Sequence, residues 1–216
     1  MQGIQSVAAG LLALLSSAAL AAELPVVKQV EADQGGCLYT FKVLDDSASG
    51  SFEYPSGPPG WKNGKYKLVV EVGSIAASCA AQPRSVEVAK SFEVPDIAIQ
   101  ASDAGLAVAY TRGSYHPWTN YTRFLNLKQL SPVNLGVQKA VEFSARYGSQ
   151  TTWTFPGQLS VSELTLSNGS VEVSGSLVGN YVWGGGATQA GTGENYVISY
   201  LDFLGQPQQG PSIVIY

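Results

Sequence analysis

From Leu24 onward the chain alternates short runs of β-branched and aromatic residues with Gly, Pro and Asn turn signals. No convincing amphipathic helix appears after residue 34. Residues 65–72 (KYKLVVEV), 85–94 (SVEVAKSFEV), 106–110, 137–147, 151–155, 171–177, 196–203 and 212–216 read as strands. Between them lie Pro58-Pro59-Gly60, Asn63-Gly64, Asn168-Gly169, Gly184-Gly185-Gly186 and Gly210-Pro211. Asn-Gly suits a two-residue hairpin turn because both central residues need positive φ, so 164–173 (LTLSNGSVEV) predicts a hairpin with Asn168-Gly169 at its tip. Pro83, Pro95 and Pro132 mark edges or connections, and the Ala-rich 75–81 reads as a loop or short helical turn. Short strands at roughly ten-residue spacing predict a mainly β protein with an antiparallel, Ig-like β-sandwich over 34–216. Pro95-Asp96 and Asp103-Ala104-Gly105 form a polar stretch where the β-region could divide in two, although one domain is favoured.

The sandwich follows an opening of a different kind. Residues 1–22 (MQGIQSVAAGLLALLSSAALAA) contain no charged side chain, and Glu23 is the first. A run of about 20 such residues spans roughly 30 Å as a helix, the thickness of a bilayer core. Three readings compete: a signal peptide cleaved after residue 21 or 22, a permanent anchor, or a retained hydrophobic helix with its junction over 1–33. Ala19-Leu20-Ala21 supplies the small-x-small pattern of a cleavage site, but no Lys or Arg precedes the apolar stretch. An anchor is disfavoured by the Ala, Ser and Gly content and by the missing basic flank. Small residues instead let helix backbones approach one another closely.

Composition narrows the partners. Charged residues make up only 13% of the 216, which leaves a surface of Ser, Thr, Gln, Asn, Gly and Tyr. Such a surface suits an extracellular protein in contact with its own copies. After Arg146 there is no Lys or Arg, while Glu163, Glu172, Glu194 and Asp202 give that stretch a charge of −4, equal to the formal net charge of the whole chain. With no basic patch to neutralise phosphates, nucleic acid is not expected as a partner.

Cys37 and Cys79 are the only cysteines, and behind an export-type segment an even count of two reads as one disulfide. Nothing points to a metal or cofactor. A single histidine, His116, would have to serve any Ser-His-Asp hydrolase, but no Gly-x-Ser-x-Gly elbow accompanies it. Asp45-Asp46 reads as a solvated turn, and the glycine-rich 184–193 precedes a strand where a phosphate loop would precede a helix. The chain is not expected to be an enzyme. Trp61, Trp118 and Trp183 are candidate aromatics for a ligand or an interface, including carbohydrate. Asn120-Tyr121-Thr122 and Asn168-Gly169-Ser170 are acceptor patterns for N-glycosylation, with Asn120 and Asn168 as the modified residues.

The segment Gly3-Ile4-Gln5-Ser6-Val7-Ala8-Ala9-Gly10-Leu11-Leu12 resembles the start of archaeal type IV pilins, although the basic residue expected before the cleavage site is missing. The resemblance implies a cell-surface filament, a pilus with adhesive contacts. In it Ile4, Val7, Leu11, Leu12, Leu14, Leu15 and Leu20 would line a bundled helical core, with a β-domain outside that can carry glycans. Its partners would be copies of itself, with surface glycans or other filaments as further candidates and the membrane only before assembly. The alternative is a secreted sandwich released by signal cleavage, which either polymerises by donating residues 24–30 to a neighbour's sheet edge or binds carbohydrate.

Overall fold

Strand pairing starts within a few residues of the first charged side chain. The computed structural model describes residues 23–49, 64–116, 120–146, 158–178, 180–183, 188–189, 195–205 and 210–216. Strand β1 (Val26–Gln34) turns through Gly35-Gly36, at φ 59° and 82°, into β2 (Cys37–Asp45). Positive φ at both positions is what a two-residue hairpin turn requires, and two glycines adopt it without steric cost. β3 (Tyr66–Ser74) and β4 (Arg84–Ser91) complete an antiparallel four-stranded meander.

This hairpin corrects the expectation of an N-terminal hydrophobic helix ahead of the sandwich. Residues 26–33, expected in the helix and its junction, pair with β2. Among the described residues the one helical piece is a 3-10 turn at Ser47–Ser49, and none is long and apolar enough to cross a membrane. The physical cause is local: Val26, Val27 and Val30 are β-branched, which favours an extended chain, and Pro25 holds Leu24 before it out of the helical region. The same pairing already engages residues 26–30, the segment offered above as a donor strand. Ile4, Val7, Leu11, Leu12, Leu14, Leu15 and Leu20 lie outside the described residues, as do Trp61, Trp118, the strand expected at 151–155 and Gly184-Gly185-Gly186.

The remaining strands belong to one eleven-stranded sheet. They are β5 (Ile97–Ser102), β6 (Gly105–His116), β7 (Asn120–Leu130), β8 (Val137–Arg146), β9 (Gln158–Leu159), β10 (Glu163–Ser167), β11 (Ser170–Val178), β12 (Asn180–Trp183), β13 (Thr188–Gln189), β14 (Asn195–Tyr200) and β15 (Ser212–Ile215). The polar stretch around residues 95–105 is therefore a strand and its tight turn into β6. β5, β6, β7, β8, β12 and β13 lie side by side. β9 pairs with both β7 and β11, and so carries β10, β11, β14 and β15 over one face of the others. The result is three layers: the meander, a central sheet and an outer sheet.

Strand β6 shows why the layers hold. Leu106, Val108 and Tyr110 point into a first core with Tyr39, Phe41, Val43, Leu68 and Val70 of the meander. Ala107 and Ala109, alternating with them, point into a second core with Leu125, Leu127, Phe143, Val171, Val173, Tyr196 and Ile198. The rings of Phe41 and Tyr110 meet edge-on, with centroids 6.0 Å apart. Full burial of side chains of this size is worth about 1.5–3 kcal/mol each. In the outer layer Gly175 permits a close backbone approach: a Cβ there would lie 2.1 Å from the Ser160 carbonyl oxygen. Tyr196 donates to that same oxygen at 2.5 Å.

Cys37 and Cys79 form a disulfide, with Cα atoms 4.8 Å apart, that ties the turn-rich β3–β4 loop to the start of β2. A bridge is consistent with an oxidising compartment. Closing a loop of 42 residues stabilises the fold by about 4 kcal/mol in the chain-entropy model. Urea unfolding with and without reductant is expected to differ by about that amount. Ala109→Leu is expected to overpack the second core at a cost of about 1–3 kcal/mol, read from the same unfolding curves.

Candidate functional site

The meander does not cover the whole of the central sheet. On the face that it packs against, Gln138, Ala140 and Glu142 of β8 are exposed. Cross-strand register sets three rows on that face at the border of the cover: Arg112 beside Phe124, Tyr110 beside Asn126 and Glu142, and Val108 beside Lys128 and Ala140. Val108 and Tyr110 are under the meander, and the other members form a polar shelf beside the free edge of β4.

The shelf is unevenly satisfied. Lys128 Nζ donates to the Val88 carbonyl of β4 at 2.6 Å and lies 5.6 Å from the Tyr110 ring centroid. Burial pulls the Lys128 ammonium below its ordinary pKa, with Arg112 pushing the same way and Glu142 opposing. The Arg112 guanidinium stacks 5.7 Å from the Phe124 centroid and reaches Glu142 Oε2 at 3.5 Å, across β7. Beneath this long contact sits Asn126, only 7% exposed. Among the described residues its Nδ2 and the buried Nε of Arg112 have no hydrogen-bond acceptor. A buried donor left unpaired costs about 1–3 kcal/mol. Two unpaired donors on diagonal neighbours of one sheet face, with Lys128 two residues on from Asn126, suit an acceptor such as a carboxylate.

A second polar cluster braces the layers. Asp96, between β4 and β5, contacts Lys28 of β1 at 3.5 Å and Arg123 of β7 at 3.5 Å, and it accepts from the Val161 backbone at 3.2 Å. Its own backbone N–H donates to Thr111 Oγ1 of β6 at 2.8 Å. Glu93 Oε1 lies 2.8 Å from Arg123 Nε, close enough for an ion pair but outside hydrogen-bond alignment. Burial raises the Glu93 pKa, Arg123 opposes the rise and Asp96 adds to it. Every partner in this cluster is another part of the chain.

The residues singled out in the sequence fall elsewhere. Asn168 is exposed at the tip of the β10–β11 hairpin with φ 48°, where a glycan has room. Asn120 opens β7 opposite His116, and Trp183 ends β12 opposite Phe143; the side chains of Asn120, His116 and Trp183 are outside the described residues. Asp45 caps the Ser47 N–H at 2.9 Å, as a turn residue does. Asp46 is not solvated: it is 4% exposed and pairs with Lys67 at 2.9 Å. Among the described residues no group of three or more His, Cys, Asp or Glu could hold a metal ion. Arg112, Asn126, Lys128 and Glu142 carry no signal in the sequence, because nothing but strand register brings them together.

A raised pKa means that Glu93 binds its proton more tightly in the folded chain. It therefore favours folding below its unfolded pKa, and that contribution is lost as pH rises through the folded value. Glu93→Gln, a neutral isostere, is expected to be more stable than the parent at pH 7, and the difference is expected to shrink toward pH 4 in thermal unfolding.

No protein-family model matches this chain, and neither the curated proteins nor the solved structures give a match, so the resemblance to archaeal type IV pilins draws no support from them.

Proposed function

We propose that this chain is an exported structural subunit that assembles with copies of itself into an extended polymer at the cell surface. The contacts are assigned to the β-layers and not to a helical core. The observation that carries the reading is the contrast between the two outer faces of the molecule. The outward rows of the meander carry both charges: Glu31, Thr40, Glu71 and Ser85, then Gln29, Lys42, Val69 and Glu87, then Val26, Leu44, Lys67 and Lys90. Mixed charge is what a water-facing sheet carries.

The outward rows of the outer layer are different. They read Thr165, Glu172, Ser199 and Ser212, then Glu163, Ser174, Val197 and Val214. Tyr216 lies beside Asn195 at the end of the same face, and Val214 and Tyr216 are 56% and 66% exposed. Among the described residues this is a hydroxyl-rich face with two carboxylates and no cation. Its edge strand β15 has no charge, bulge or internal proline to discourage pairing. A low-charge face of this kind is suited to contact with protein. The disulfide fits an oxidising location, and the apolar opening of the sequence fits export.

Sedimentation velocity and negative-stain electron microscopy of the protein recovered from its native cell surface test the reading. The expected result is ordered oligomers or polymers that dissociate on dilution. Monodisperse monomers across the accessible concentration range would count against it.

A further inference from the structure

We infer that the polar shelf receives Glu172 from the outer layer of a second copy, so that the central sheet of one molecule docks the outer sheet of the next. This inference rests on the self-assembly reading above and names the surfaces that meet.

Three observations carry it. Arg112 Nε and Asn126 Nδ2 are buried donors without an acceptor, and Asn126 is more than nine-tenths buried. The shelf is nevertheless reachable, since the Arg112 and Glu142 side chains are 37% and 45% exposed and their contact is 3.5 Å long. A carboxylate arriving from outside takes the place of Glu142 at the guanidinium and gains the Asn126 amide beneath it, while Glu142 turns into water.

The charges are complementary. Arg112 and Lys128 outweigh Glu142 on the shelf, whereas the chain after Arg146 has acidic residues and no basic ones. On the outer layer Glu172 is exposed in the middle of the sheet, on β11 between β10 and β14. Ser199 Oγ donates to its Oε2 at 3.2 Å, which holds the carboxylate among hydroxyl neighbours instead of beside a cation. An arginine or lysine on that face would have satisfied Glu172 within its own molecule.

The directions also fit. The shelf lies on the meander side of the central sheet, and the outer layer covers the opposite side, so the two surfaces look away from each other. Contact between them is heterologous: each copy uses its shelf on one neighbour and its outer layer on another. Such a contact repeats into a ring or an open filament and does not stop at a dimer.

The test is a charge exchange on the intact exported protein, read by sedimentation velocity and electron microscopy. Arg112→Glu alone and Glu172→Arg alone are each expected to raise the concentration for half-assembly at least tenfold, because each puts like charges in the contact. An equimolar mixture of the two is expected to co-assemble in alternation, since a reversed shelf then meets a reversed outer layer and each unaltered shelf meets an unaltered one. Near-UV circular dichroism and thermal unfolding confirm that each variant is folded. Glu172→Gln, at an exposed position, provides a milder variant expected to weaken assembly without reversing charge.

If the single variants assemble like the parent, the docking inference fails and the self-assembly reading stands. Folded singles that stay apart when mixed also overturn the pairing. Parent-like assembly by Arg112→Glu, combined with loss of the parent's retention on polygalacturonate, reassigns the shelf to acidic glycans. A parent protein that is monomeric throughout overturns both readings.

Discussion

The structure depends on one strand being buried on both faces. β6 sends Leu106, Val108 and Tyr110 one way and Ala107 and Ala109 the other, and all five are excluded from water. Two cores that share a strand cannot be repacked independently. The short alanine side chains on the second face let the outer layer approach, while the larger residues on the first face fill the space beneath the meander. Because every backbone polar group of such a strand must be paired within the sheet, β6 needs a full partner on each side, and β5 and β7 supply them.

Where the cores stop, charge takes over. Asp96 touches the meander through Lys28, the central sheet through Thr111 and Arg123, and the approach to the outer layer through Val161. A similar arrangement fastens the turn after β14. Lys139 donates to the carbonyls of Phe203 and Gly205, and Gln129 donates to that of Leu204 at 2.9 Å. These contacts use polar side chains of the central sheet to hold backbone of the outer layer. The shelf differs, since among the described residues Arg112 Nε and Asn126 Nδ2 have no hydrogen-bond acceptor, whereas Arg123 Nε, also without one, at least lies against the Glu93 carboxylate.

Features governed by neighbouring residues were legible in the sequence. Asn168-Gly169 makes its hairpin because the turn geometry needs positive φ at both positions, which is a property of the dipeptide. The cysteine pair was legible because there was no other pairing to choose. β1 was not anticipated, although Gly35-Gly36 carried a hairpin signal of the same kind; the long apolar opening suggested a helix and its junction over residues 1–33. The three-layer arrangement was hidden for a physical reason. A strand covered on both sides has no polar face, so the run LAVAY at 106–110 cannot say which residues meet which layer. Asp46 was read as solvated because its partner Lys67 is on another strand. The shelf needs the registers of β6, β7 and β8 together, and no window of sequence contains them.

The disulfide has a consequence for the order in which the molecule can be made. Both cysteines, and all four strands of the meander, lie within residues 26–91. Every strand there pairs with its immediate neighbour in sequence, so its backbone pairing needs no residue from further along the chain, while its apolar face is covered only when β5 and β6 arrive. A chain emerging N-terminus first, from a ribosome or a translocation channel, can close this unit and oxidise it while the rest is still inside. The wrong pairing of the cysteines is not an available error, and the meander then serves as the surface on which β5 and β6 condense. The acidic outer layer, whose strands come last, completes the second core only when nearly the whole chain has been released.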